Sequence, residues 1–285
     1  MSDSDKILEI YDAYVHGRQS RRDFLHNLVR IAGGAAAAAA ILPWLEGSGA
    51  EAATIAADDP RLAVGDVEYG GAGVVRAYTA RLKTLTKGPA VIVIHENRGL
   101  TDHIRDIARR LAVEGFFAVA PDMISPRGGT PKDQDQARDL LYSIDKKVID
   151  TNLYASSVYA SNHAHSSGKA GCVGFCWGGT QANLMAISYG KLKAAVAYYG
   201  AQPKKGIEKV NAALLLHYAE DDPGRNKGID AYDKALKAAG KTFQSFIYPG
   251  TKHAFNNDMR PARYNKAAAE LAWQRTVAHL KKYLA

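Results

Sequence analysis

Cys176 stands in the run Gly174-Phe175-Cys176-Trp177-Gly178-Gly179, a reactive side chain with glycine two residues to either side. A thiolate held in the open could attack a carbonyl and form an acyl-cysteine that water later opens. The run follows the apolar stretch Ala170–Val173 and leads into a helical pattern from Gly179 to Ile187, so the spacing predicts a sharp strand-to-helix turn. At such a turn side chains two positions away would collide, and glycine removes the collision. The dipole and unpaired N–H groups of the following helix favour thiolate over thiol at Cys176. A thiol nucleophile is served by a histidine base that a carboxylate orients, and strand ends later in the chain are where such residues would be presented. Ala213–His217 reads as a strand and ends in Glu220-Asp221-Asp222-Pro223, and Phe243–Tyr248 is followed by a turn that carries His253. The order points to a Cys176, His253, Asp222 triad.

The Gly-x-Cys-x-Gly-Gly turn is similar to the nucleophile elbow of α/β-hydrolases, with cysteine where serine is usual. From about Val64 to the C-terminus the chain resembles the dienelactone hydrolase family. The resemblance lies in that elbow, in Val91-Ile92-Val93-Ile94-His95-Glu96-Asn97-Arg98-Gly99, in Ala120-Pro121-Asp122 and in His253-Ala254-Phe255. It implies that Asp222, five positions on from His217, is the acid rather than Asp221. It also implies that Glu96 hydrogen-bonds the resting thiol and helps carry its proton away when substrate arrives. Like-charge repulsion from Glu96 disfavours the thiolate while a protonated His253 favours it, so Cys176 would be switchable. The competing reading makes Glu96 an ion-pair partner of Arg98 or Arg105 on a solvated loop.

The resemblance implies an oxyanion hole from the Trp177 N–H and a second N–H after the Glu96 strand, most simply that of Asn97. His253 would protonate the leaving alkoxide or enolate and then activate water, with no metal or organic cofactor required. An acyl-cysteine reverts unless its alcohol leaves easily, which favours lactones and activated esters over amides. Family substrates are lactones bearing a carboxylate held by arginines. Arg127 lies near the first such position, whereas Asn256-Asn257 replace the arginine expected after His253; Arg98, Arg225 and Arg263 are further candidates.

These residues need elements to position them. Val64–Tyr69 and Val74–Ala80 are expected as a hairpin around Gly70-Gly71. Strands at Ala90–Ile94, Phe116–Ala120, Ala170–Val173, Ala194–Tyr198, Ala213–His217 and Phe243–Tyr248 then alternate with helices. The helices are expected at His103–Glu114 behind Thr101 or Asp102, at Lys132–Tyr142, Asp145–His165, Lys227–Ala239 and Pro261–Tyr283, besides the one after the elbow. Such alternation implies a mostly parallel, doubly wound sheet flanked by helices, and the length from 64 to 285 fits a single domain of α/β-hydrolase fold.

Ser20-Arg21-Arg22-Asp23-Phe24-Leu25, the Gly/Ala-rich stretch Ile31–Leu45 and Ala50-Glu51-Ala52 resemble a twin-arginine export signal with a small-x-small cleavage site. Residues 1–52 are therefore expected to be the signal and 53–63 a linker, with the export machinery as a partner and the periplasm or exterior as location. The rival reading makes Ser20–Leu45 an amphipathic helix packed on the domain. The apolar stretch is too short for a stable membrane span. Residues 61–285 carry 32 Lys/Arg against 20 Asp/Glu. That surplus suits an anionic substrate, while the dispersed lysines and missing aromatic interleaving argue against nucleic acid. Cys172 and Cys176 are the two cysteines, separated by roughly 13 Å at strand rise, beyond disulfide reach. A thiol redox or peroxide-reactive protein on the same fold is the alternative function.

Overall fold

The computed structural model describes residues 3–15, 18–46 and 55–285. Eight strands form one sheet: β1 Leu62–Gly71, β2 Gly73–Leu82, β3 Gly88–Ile94, β4 Phe117–Pro121, β5 Ser166–Phe175, β6 Ala194–Tyr198, β7 Ala213–Asp221 and β8 Phe243–Lys252. The helices are α1 Asp3–Val15, α2 Arg21–Ala32, α3 Ala35–Glu46, α4 Asp102–Val113, α5 Gln134–Tyr142, α6 Lys146–Asn162, α7 Trp177–Ser188, α8 Pro223–Asn226, α9 Ile229–Ala238 and α10 Lys266–Leu284. The strand order is β1-β2-β4-β3-β5-β6-β7-β8. Only the β1–β2 and β2–β4 pairs are antiparallel.

Both faces are covered because the central strands are apolar on both sides. On one face Ile92, Ile94 and Leu214 pack with Leu153 of α6, Met185 of α7 and Leu236 of α9. On the other, Val91, Val93 and Val196 pack with Ile104 and Leu111 of α4 and Leu280 of α10. In α4 the buried residues Ile104, Ile107, Ala108, Leu111 and Ala112 recur at helical spacing, which fixes its inward stripe. This is the doubly wound arrangement of an α/β-hydrolase fold.

Several boundaries differ from the sequence reading for identifiable reasons. Strand β5 begins at Ser166 because Ser166 pairs with Gly88, although Ser167, Gly168 and Lys169 after it are exposed. That start cuts the preceding helix at Asn162. The helix expected at Lys227–Ala239 is α9, which starts at Ile229 after its cap Gly228, and a separate short α8 precedes it at Pro223–Asn226. Helix α10 starts at Lys266, where the Asn265 side chain accepts the Ala268 N–H.

Helices α1, α2 and α3 have a core of their own. Tyr11, Tyr14 and Val15 of α1 meet Phe24 and Leu28 of α2, and the Tyr14 and Phe24 rings stack at 4.9 Å. Ser20 caps α2 by accepting the Asp23 N–H, and Gly33 ends it at φ +80°. Arg21 and Arg22 lie exposed on α2. Among the described residues no single helix is long and apolar enough to cross a membrane; α2 and the start of α3 qualify only as a pair bent by 113°. The cleavage site expected at Ala50–Ala52 lies outside the described residues.

The elbow rests on close backbone approach. A Cβ on Gly174 would lie 2.0 Å from the Gly178 oxygen, and one on Gly178 would lie 2.3 Å from the Ile94 oxygen. We expect Gly178→Ala to lower stability by about 1–3 kcal/mol in urea unfolding, the usual cost of overpacking. Gly190→Ala, where the nearest atom is 3.8 Å away, should stay within about 0.5 kcal/mol of wild type.

Candidate active site

Register brings the chemistry together. Ile94 pairs with Gly174 across β3 and β5, so Glu96 and Cys176 leave neighbouring strands at one level. Asp221 pairs with Lys252 across β7 and β8, so Asp222 and His253 do the same. All four therefore meet at the C-terminal edge of the parallel strands, where ligand sites of open α/β sheets lie.

Cys176 is the residue before α7 and has φ 55° and ψ −112°, a left-handed backbone that non-glycine residues rarely adopt. Its N–H donates to the Tyr198 carbonyl at 3.0 Å, and its own carbonyl accepts the Thr180 N–H at 3.1 Å. The thiol is 3% exposed. Trp177 opens the helix, so its N–H belongs to the first turn that lacks intrahelical partners. Neither cysteine is in a disulfide, and burial pushes the Cys172 thiol up to about 12.

His253 Nδ1–H donates to Asp222 Oδ2 at 2.5 Å, both side chains being buried. Cys176 and His253 line the same small cavity, and the sulfur acts electrostatically on the ring. Burial works against charge on the imidazole, but the Asp222 carboxylate and the Cys176 sulfur together outweigh it and raise His253 to about 10. Tyr199 packs its ring 4.7 Å from His253 and donates its hydroxyl to Asn256. Asp221 instead points outward toward Lys252 Nζ at 3.4 Å.

Glu96 is buried and accepts from Asn257 Nδ2 at 2.9 Å. The solvated ion-pair reading of Glu96 does not hold: Arg98 pairs with Asp135 at 2.5 Å and Arg105 with Asp66 at 2.7 Å. Asn257 thus fills the position where the family resemblance led us to look for an arginine. His95 steadies the loop, since its Nε2 accepts the Met123 N–H at 3.0 Å and its Nδ1–H then donates to the Glu96 carbonyl at 2.6 Å. Its ring also stacks on Trp177 at 5.5 Å.

The small cavity beside Cys176 is lined by Glu96, Asn97, His253, Arg260 and Arg263, and by Tyr11 and Val15 of α1. Among the candidate arginines, Arg263 faces it. Arg98 is drawn away to the Gln134 carbonyl and Asp135 at the start of α5. Arg127 is exposed and donates to the Ser143 carbonyl after α5, so it is not brought to the site. Arg225 lies half-buried in α8, outside the residues that line this cavity. The sequence reading missed Arg260, Tyr11, His95 and the clamp by Asn257. For Arg260 the visible signal was a second arginine close to Arg263; for Tyr11 no local signal existed.

An elbow nucleophile and a carboxylate-backed histidine at one sheet edge are the marks of the α/β-hydrolase class. The chain belongs to the dienelactone hydrolase family, whose model matches residues 75–284. Residues 4–32 separately match the model of a YqhI-like family. An Escherichia coli K12 protein named "Putative carboxymethylenebutenolidase" is 37% identical over 225 residues, covering 73% of this chain and 82% of that one. A Bradyrhizobium protein named "Probable 2-oxo-3-(5-oxofuran-2-ylidene)propanoate lactonase" is 30% identical over 237 residues, covering 76% of this chain and 94% of that one. The crystal structure titled "Putative Dienelactone Hydrolase" from Klebsiella pneumoniae superposes with a TM-score of 0.71 at 32% identity, covering 78% of this chain and 99% of that one.

The raised His253 has a consequence for stability. A group whose folded value of about 10 exceeds its ordinary 6.5 contributes fully below pH 6.5, and the contribution is lost as pH rises through the folded value. We expect urea-unfolding stability of the wild type relative to His253→Ala to fall between about pH 6.5 and 10. An identical pH dependence in both proteins would contradict the assigned charge on His253.

Proposed function

We propose that the protein hydrolyses a lactone or an activated carboxylic ester through an acyl-cysteine intermediate. The observation that carries this reading is the buried Asp222–His253 pair at 2.5 Å, whose imidazole lines one cavity with Cys176. The Cys176 sulfur attacks the carbonyl carbon, and the carbonyl electron pair moves to oxygen. That oxyanion is held by the N–H groups of Trp177 and Asn97. On collapse the C–O bond breaks, and His253 gives its proton to the leaving alkoxide or enolate. Neutral His253 then takes a proton from water as the hydroxide adds to the thioester, and the acid leaves as Cys176 is restored. Glu96 accepts the thiol proton before attack and returns it to the sulfur once the acid has left, and Asn257 aims its carboxylate. Arg260 and Arg263 line the same cavity, so an anionic substrate fits best. The lactonase and carboxymethylenebutenolidase names of the relatives support the lactone class.

Export by the twin-arginine route is part of the proposal, and it rests on the Ser20–Leu25 motif followed by the Gly/Ala-rich stretch. Replacing Arg21 and Arg22 by lysine should retain the protein in the cytoplasmic fraction of expressing cells; unchanged fractionation would exclude this route.

The enzymatic proposal is tested on a panel of dienelactone, other lactones, aryl esters and alkyl esters. Cys176→Ala and His253→Ala should each abolish turnover. Asp222→Asn should lower kcat by on the order of 10⁴-fold through loss of imidazole orientation, whereas Asp221→Asn should leave it unchanged. Turnover indifferent to Cys176 would sink the nucleophile assignment. Glu96→Gln should shift the pH profile of Cys176 alkylation without changing the urea midpoint.

A further inference from the structure

Helix α1 does more than pack beside the catalytic domain, because it enters the site. Tyr11 and Val15 form one wall of the cavity that Cys176, Glu96 and His253 form from below. The space left there is about 20 Å³, close to the room that one water needs. Lactones and aryl esters do not fit.

The contacts that hold the helix down use the site's own polar groups. Arg260 Nη1 donates to the Tyr11 hydroxyl at 2.9 Å, and the Arg263 guanidinium lies 5.1 Å from the Tyr11 ring centre. Asn97 Nδ2 donates to the Val15 carbonyl at 2.9 Å, at the end of the helix where carbonyls lack intrahelical partners. Farther out, Arg21 pairs with Asp135, the carboxylate that also holds Arg98. The Tyr11 hydroxyl therefore occupies an arginine that faces the substrate cavity, and the last turn of α1 covers the loop of the proposed oxyanion hole.

We infer that residues 3–46 are a built-in plug, which keeps the cysteine hydrolase proposed above closed until α1 is withdrawn from Arg260 and Asn97. The inference rests on the proposed hydrolase reading for what the open site does, but not for the closure itself. Two discrete arrangements are required, and apparent activity falls in proportion to the open fraction. The segment has its own small core of Tyr14, Phe24 and Leu28, so it can leave the site as a unit. The same residues carry the twin-arginine motif, so an event that engages the motif would also uncover the thiol.

The test uses the full chain. Iodoacetamide labelling followed by mass spectrometry gives the alkylation rate of Cys176, and Cys172, buried at 0% exposure in the sheet, reports any global unfolding. The double variant Tyr11→Ala/Val15→Ala should raise the Cys176 rate at least tenfold with Cys172 unlabelled, and ester turnover should rise with it. If Cys172 is labelled as well, the milder Tyr11→Phe, which removes only the hydroxyl from Arg260, decides: a severalfold rise supports the plug. A Cys176 rate equal to wild type in a folded variant overturns it, whether or not the enzyme turns over ester. Faster alkylation without turnover on any ester keeps the plug and removes the hydrolase reading instead.

Discussion

The backbone of Cys176 is the constraint on which the rest of this structure depends. A φ of 55° at a residue with a side chain is unfavourable, by about 1–3 kcal/mol for such positions, and the surrounding packing must impose it. That packing is backbone against backbone: Gly174 against Gly178, and Gly178 against the carbonyls of Ile94 and His95. The approach is possible only with hydrogen in place of Cβ, and it locks β3, β5 and α7 into one rigid corner. The sulfur is thereby held at the sheet edge whatever the flanking loops do.

Electrostatics then follows from position. A buried imidazole ordinarily loses its charge. Here the Asp222 carboxylate at 2.5 Å on one side and the Cys176 sulfur on the other reverse the direction. Glu96 is a second buried carboxylate in the same small volume, and a hydrogen bond from Asn257 satisfies it where a salt bridge would neutralise it. The arginines nearby are spent differently: Arg98 on Asp135, and Arg260 on Tyr11 and Gln134.

Much of this was legible because parallel sheets write their sites at strand ends. The apolar runs located all eight strands, and Ala194–Tyr198 matched residue for residue. Once strands are fixed, the residues just beyond them are the candidates, which is how Glu96, Cys176, Asp222 and His253 could be named together. Contacts made by long side chains across loops were not legible. Arg127 was chosen by proximity in sequence to Pro121-Asp122, but Asp122 binds the Thr130 N–H and hydroxyl and closes its own loop, leaving Arg127 outside. Asn257 and Arg260 act through turns after His253 whose geometry no periodicity encodes. The polar start of β5 was equally silent, since its pairing with β3 is backbone only.

The N-terminal segment shows why local patterns can carry two messages. The arginine pair in α2 and the alanine run in α3 read as parts of a signal, yet apolar residues of α2 and α3 also build a core with those of α1. Neither use excludes the other, because the buried core among the described residues of these helices is small. Docking strength comes instead from the polar contacts of Tyr11 and Val15 with Arg260 and Asn97, groups that the catalytic domain must keep for its own chemistry. A segment that borrows a substrate's binding partners competes directly with substrate. Its hold must therefore be strong enough to shield the thiol and weak enough to be broken, and a handful of hydrogen bonds each worth about 1 kcal/mol lies in that range.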